Sequence, residues 1–285
     1  FPQIGGFVGG DTVSGILATR MEEFPETTLL VDVGTNGEIV LAHQGRLTAT
    51  SVAAGPAFEG ARIVNGMRGA AGAIERVTFD TDARWTTIGG ERPMGLCGTG
   101  LIDLAAELLR SGLLDPTGRI LPPDEAPPQT PPALLRRLVT EGSETHFLLA
   151  DGVETASGKP LLLYQRDIRE LQLANGAIRA GIQILLRQAG VEPDRLGHIL
   201  LAGAFGNYIR RHNAKRIGMF PPIPTERIQF VGNAASLGAK RVLLSDPELQ
   251  RAADLSRTVR HVDLSLDPEF QMEFGAAMMF PETGE

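Results

Sequence analysis

The chain is 285 residues long, 42% hydrophobic and 21% charged, with a formal net charge of −7. That length and apolar content allow a large buried core, and the acidic balance argues against non-specific nucleic-acid binding, which needs a basic surface. The single cysteine, Cys97, excludes a disulfide framework and a cysteine-ligated cluster or zinc site within these residues and suits a reducing cytoplasm, and no apolar run reaches the roughly 18 residues of a membrane span.

The first residues, FPQIGGFVGGD, lack the basic region and apolar core of a signal peptide. The chain does not open on Met and is expected to be the C-terminal portion of a longer protein. The pattern predicts a short helix over residues 11–21, with Asp11 as its N-cap. Three short strands follow, at 28–33, 38–42 and 47–52, joined by GTNG and HQGR as a meander. Pro56 marks a helix start, and 73–80 with 85–88 read as a second strand pair. In 95–112, a glycine-rich turn opens an amphipathic helix with Leu101, Leu104, Ala105, Leu108 and Leu109 on one face and Gly112 closing it.

Residues 115–135, containing LPPDEAPPQTPP, are expected to form a proline-rich surface insertion in one region whose core is about 28–114 and 160–245. Strand signals return at 146–149 and 161–164, followed by the longest helix, 165–189, with Asp167 in its first turn and Gly190 at its end. HILLAGAF (198–205) reads as a buried strand running into a glycine turn. VGNAASLGAKRVLLS (231–245) reads as a strand end, a turn and a helix with a small-residue face. A strand at 258–262 and a helix at 267–279 complete the chain. Three antiparallel strands, helices, then strands alternating with helices make the pattern of a ribonuclease-H-like α/β core, a mixed sheet with flanking helices.

The candidate chemistry lies at the glycine junctions. In VDVGTNGEIV, Gly34 and Gly37 permit positive φ, so that successive N–H groups can converge on an anion, and Thr35 and Asn36 add side-chain donors. Asp32 at the strand end could hold Mg²⁺ through water or orient an attacking water, and Glu38 is a second acid beyond the turn. These ten residues alone fit a tight hairpin as well as they fit a phosphate loop. Gly98 and Thr99 open a helix, where free N–H groups bind anions, although close helix–strand packing also favours glycine there. Gly203, Ala204, Phe205 and Gly206 form the third turn, where glycine lets the backbone approach a flat ligand and Phe205 fits the core. Gly232 and Asn233 form the fourth, with Asn233 a natural N-cap. Four such junctions at strand ends together favour a nucleotide site. Cys97 reads as a packed core thiol, the five histidines show no metal spacing, and YIRRHNAKR (208–216) reads as a solvated basic helix face.

Taken in order, FVGGDTVSGILAT, VDVGTNGEIVL, AAGPAFEGARIVNGMRGAAGAIE, GLCGTGLIDLAAELLRSGLLD, RDIRELQLANGAIRAGIQILL, LAGAFGNYI and VGNAASLGA resemble the C-terminal ATPase region of reductive activators of corrinoid proteins, over essentially the whole chain. That region belongs to the superfamily of sugar kinases, acetate kinase, actin and heat-shock ATPases. The resemblance implies that VDVGTNGE is the second phosphate loop, with Asp32 near Mg²⁺ and the attacking water, that LAGAFG is the adenosine-side loop, and that GNAASLGA is the second connecting helix. It implies ATP and Mg²⁺ as cofactors and a corrinoid protein as partner, whose Co(II) corrinoid is reduced to Co(I) with electrons from an N-terminal 2Fe–2S domain. These residues hold no cluster cysteines and no first Asp-x-Gly-Thr loop, so both are expected upstream. A cytoplasmic protein with no nucleic-acid or membrane partner is expected, and a homodimer stays open. Two other readings stand beside it. One is a small-molecule kinase of the same superfamily, with Asp11 or Asp103 as its base. The other is a non-catalytic fold used for docking or dimerisation.

Overall fold

The computed structural model describes residues 1–203 and 208–282. In chain order, α1 (Gly10–Thr19) precedes the meander β1 (Thr28–Val33), β2 (Gly37–His43) and β3 (Arg46–Val52). Next come β4 (Ala73–Phe79), β5 (Ala83–Thr87), β6 (Gly95–Leu96), α2 (Gly98–Arg110) and α3 (Pro132–Leu135). They are followed by β7 (Leu138–Glu141), β8 (Glu144–Ala150), β9 (Leu161–Leu163), α4 (Gln165–Ala189), β10 (His198–Ala202) and α5 (Arg211–Arg216). The last elements are β11 (Ile228–Gly232), α6 (Ala234–Leu244), α7 (Asp246–Thr258), β12 (Arg260–His261) and α8 (Phe270–Ala277). The chain divides into two compact units, the first holding 1–54, 177–208 and 220–277, the second 55–176, 209–219 and 278–285.

The first unit is built on a six-stranded sheet of order β11-β10-β1-β2-β3-β12. β1 lies at its centre, parallel to β10 and antiparallel to β2. Its sequence TLLVDV is apolar on both faces because both faces are covered. On one face Leu30, Val40, Ala49 and Leu200 share a core with Val13, Ile16 and Leu17 of α1, Ala234 of α6 and Leu255 of α7. On the other, the second half of α4 comes so close at Gly181 that an added Cβ would lie 2.7 Å from Ile39 Cδ1 and 2.8 Å from Val52 Cγ1. The small face of α6 has a similar cause. A Cβ at Gly238 would sit 2.1 Å from the Ser14 carbonyl oxygen of α1, so the two helices are in backbone contact there.

The second unit carries two three-stranded sheets, β5-β4-β6 and β7-β8-β9, with α2, α3, α5 and the first half of α4. α2 packs its buried leucines on β4, and Gly100 allows this, since a Cβ there would meet the Ile74 carbonyl oxygen at 2.3 Å. The buried Asp167 accepts N–H groups from Val64 (2.9 Å) and Tyr164 (3.0 Å), fixing the start of α4.

Several local expectations are corrected. α1 begins one residue before Asp11, its N-cap is Gly9, and Asp11 lies in the first turn with its carboxylate accepting the Thr12 N–H (2.8 Å). α7 and β7 were not foreseen. α7 follows α6 after only Ser245, so its start signal Ser-Asp-Pro-Glu lies against the end of another helix. The terminal helix is shorter than 267–279 and follows a 3₁₀ turn at Leu264–Leu266.

Candidate functional site

In the first unit, a single transverse row of strand partners crosses the end of the sheet. Gly232 pairs with Ala202, Ala202 with Asp32, Asp32 with Glu38, and Glu38 with Ser51. Because side chains alternate along a strand, Asp32, Glu38 and Ser51 share the face that carries Leu30, Val40 and Ala49, the face covered by α1. The row thus continues an apolar surface with two half-buried carboxyls and a hydroxyl, and α1 adds Asp11 from its first turn.

The electrostatics follow from that placement. Burial first, and then the charge of Asp11, raises the Asp32 carboxyl above the usual carboxylate range. Burial, then Asp11, then Asp32 push Glu38 from 4.5 up to about 7, against the pull of a backbone N–H and the Ser51 hydroxyl. Gly203 sits beside the pair at φ +93°, and an added Cβ would lie 2.6 Å from Asp32 Oδ1. Its N–H donates to the Gly232 carbonyl (3.0 Å), tying the third glycine junction to the fourth. Asn233 caps α6 as expected, accepting the Ser236 N–H at 2.8 Å. Ala204, Phe205 and Gly206 lie outside the described residues.

The turn between β1 and β2 differs from the expectation in mechanism. Neither Gly34 nor Gly37 has positive φ. The Gly34 N–H donates within the turn to the Asn36 carbonyl (3.2 Å) instead of pointing outward with its neighbours. Gly37 is glycine for packing, since a Cβ would lie 3.0 Å from Val52 Cγ2 and 3.3 Å from Ile178 Cγ1. Thr35 and Asn36 are exposed at the apex. Gly98 and Thr99 belong to the second unit and are buried at the start of α2, where Thr99 Oγ1 lies 3.2 Å from Cys97 Sγ. Cys97 is a core thiol that also donates to the Ile74 carbonyl (3.3 Å).

Asp103, a candidate kinase base, is corrected. It is 2% exposed and fully engaged, accepting from Arg210 Nε (2.9 Å to each oxygen), Arg210 Nη2 (2.6 Å), Asn213 Nδ2 (2.6 Å) and the Val77 N–H (3.2 Å). The segment read as a solvated basic face therefore turns Arg210 and Asn213 inward. Ser51 was missed. The hairpin arithmetic could have found it, because the Gln44–Gly45 turn sets His43 opposite Arg46 and hence Glu38 opposite Ser51.

The acid row has a measurable consequence for stability. A carboxyl raised in the folded state leaves the fold most stable below about 4.5, and stability is lost as pH rises through about 7. Glu38→Gln removes that loss. With allowance for partial exposure, the variant is expected to be about 1–2 kcal/mol more stable than the parent at pH 8 in metal-free buffer. The gap should close below pH 4.5, which denaturant titrations at the two pH values check. An equal gap at both would refute the assignment.

Residues 26–285 match the family described as the C-terminal domain of RACo, the ASKHA domain. The chain belongs to this family. The corrinoid activation enzyme RamQ of Eubacterium limosum is 36% identical over 280 residues, which are 98% of this chain and 46% of RamQ. The [Co(II) methylated amine-specific corrinoid protein] reductase of Methanosarcina barkeri is 27% identical over 282 residues, 90% of this chain and 46% of that protein. A solved reductive activator for corrinoid, iron-sulfur protein superposes with a TM-score of 0.88 at 34% identity, covering 100% of this chain and 44% of its own. The chain thus spans about half the length of the curated relatives it matches. The resemblance to the ATPase region of corrinoid activators and the actin-like fold class are both borne out. Among the described residues, no helix is long and apolar enough to cross a membrane.

Proposed function

We propose that this chain is the nucleotide-handling region of a corrinoid reductive activator. In that reading, ATP hydrolysis drives the uphill one-electron reduction of a Co(II) corrinoid to Co(I) on a corrinoid protein. The carrying observation is the half-buried Asp32–Glu38 pair on a chain of this family, beside a glycine at which any side chain would collide with Asp32 Oδ1. The names of the relatives support the corrinoid as target.

The residues fit Mg²⁺ and ATP. Asp32, Glu38 and Asp11 are hard oxygen donors, the type Mg²⁺ takes in small number while keeping water and substrate phosphates as its other ligands. Gly203 is a cradle that any side chain would fill. Bound Mg²⁺-ATP supplies a phosphoanhydride whose cleavage releases the free energy the reduction needs.

The chain's own part is positional and electrostatic. Asp32 orients the attacking water, Glu38 and Ser51 hold Asp32's side of the row in place, and the exposed Thr35 and Asn36 offer donors to phosphate oxygens. Gly203, Gly232 and Asn233 bring bare backbone to the nucleotide. A single buried cysteine cannot ligate a 2Fe–2S cluster, so the electron is delivered from elsewhere, a 2Fe–2S domain in this reading.

The test is optical. With the full-length parent, a reductant and its Co(II) corrinoid protein, the Co(I) spectrum should develop only when Mg-ATP is supplied. Equal reduction without ATP, or no Mg-ATP binding at all, would reject the reading and favour a non-catalytic docking fold.

A further inference from the structure

The first turn of α1 carries a buried polar atom that the fold does not use. Thr12 is 5% exposed, and its hydroxyl Oγ1 is sealed from solvent with no hydrogen-bond partner among the described residues. A buried hydroxyl normally has one. Thr19 on the same helix shows the usual solution, donating back to the Gly15 carbonyl at 2.8 Å, four residues before it. Thr12 has no such outlet. The carbonyl four residues before it, on Val8, lies ahead of the helix and already accepts the N–H groups of Ile4 (3.1 Å) and Gly5 (3.4 Å).

Two observations place this hydroxyl over the acid row of the first unit. One turn further along α1, an added Cβ at Gly15 would lie 3.3 Å from Leu30 Cδ2 of β1, so the stripe that holds Thr12 and Gly15 faces the sheet. At the start of the helix, the charge of Asp11 reaches both Asp32 and Glu38. α1 therefore runs against β1, with its first turn at the strand's C-terminal end. Asp32 follows Leu30 by two residues on the same face of the sheet, and Thr12 precedes Gly15 by three on the same stripe of the helix. The carboxylates of Asp11, Asp32 and Glu38 only accept hydrogen bonds, and the Ser51 hydroxyl is committed to Glu38. Thr12 supplies the uncommitted donor. A water between it and Asp32 would satisfy both, accepting from the hydroxyl and donating to the carboxylate.

We propose that Thr12 is a positioning residue for the water that attacks ATP; the inference rests on the functional reading above. The Thr12 hydroxyl donates to the water's oxygen, Asp32 accepts one of the water's protons, and the remaining lone pair is left to face phosphorus. Two hydrogen bonds from opposite sides fix an orientation that Asp32 alone leaves free to rotate.

The experiment compares two variants of the full-length parent. Thr12→Val keeps the shape without the hydroxyl, and Thr12→Ser keeps the hydroxyl. Thr12→Val is expected to lower kcat for ATP about tenfold or more with KM unchanged, while Thr12→Ser stays within about threefold of the parent. Denaturant titration in nucleotide-free and metal-free buffer should find Thr12→Val no less stable than the parent, because it removes a buried donor that had no partner. Added to Asp32→Asn, Thr12→Val should cost little more, since both act on one water. Parental turnover in Thr12→Val, equal losses in the Val and Ser variants, a full further loss in the double variant, or a clear loss of stability in Thr12→Val would each overturn the proposal and leave the functional reading standing. Absence of ATP hydrolysis by the unmodified parent would overturn both.

Discussion

Asp32→Asn is expected to lower ATP turnover of the full-length parent by about 10²-fold or more, the scale seen when a group aimed at a developing transition-state charge is removed. Asn keeps the shape and loses the charge. The structure makes this variant informative because ionising Asp32 carries a cost: burial and then Asp11 both oppose its charge. A purely structural carboxylate would have partners that repay that cost. Asp103 shows what this looks like, with an arginine, an asparagine and a backbone amide on its two oxygens. Asp32 is flanked instead by two further acids and a bare glycine. Asp32→Asn should therefore leave the melting temperature unchanged or slightly raised while activity falls. Unchanged turnover would remove Asp32 from the mechanism. A large fall in melting temperature together with the lost activity would recast it as a structural residue.

The same contrast shows why some of the molecule was readable from sequence and some was not. β1 and α4 were placed with their full bounds, because an unbroken apolar run and a 25-residue amphipathic pattern ended by Gly190 are local signals. Asp32 stood out because an acid ended an apolar strand. The reason for each glycine was less legible. Gly34 and Gly37 were read for φ, whereas Gly37 clears space for Val52 and Ile178, and Gly203 both adopts positive φ and clears space for Asp32. Composition marks that a side chain is unwanted; only the neighbours show why. Arg210 was misread for a related reason. Its partner Asp103 is 107 residues away, and no periodicity within YIRRHNAKR encodes it. The acid row lay between these cases. Its members are separated by turns whose register can be counted, so its geometry was implicit in the sequence without being used.

Arg210→Met is expected to destabilise the second unit by about 3–5 kcal/mol, the cost of stranding a buried carboxylate whose partner is removed. Asp103 sits on α2, Val77 on β4 and Arg210 immediately before α5, so the network ties three elements, with Arg210 also donating to the Val77 carbonyl. At about 2–4 °C per kcal/mol, the melting temperature should fall by roughly 10 °C. Asp103→Leu combined with Arg210→Met removes both charges and should recover most of that loss, since well-packed apolar replacements of a buried ion pair are often near neutral. Arg210→Lys should fall between, because an ammonium cannot present Nε and Nη2 together to one carboxylate. A double-mutant cycle by denaturant titration reads all of this directly. If Arg210→Met alone lies within 1 kcal/mol of the parent, the pair is not what holds α2, β4 and α5 together, and Asp103 would again be free to serve as a base.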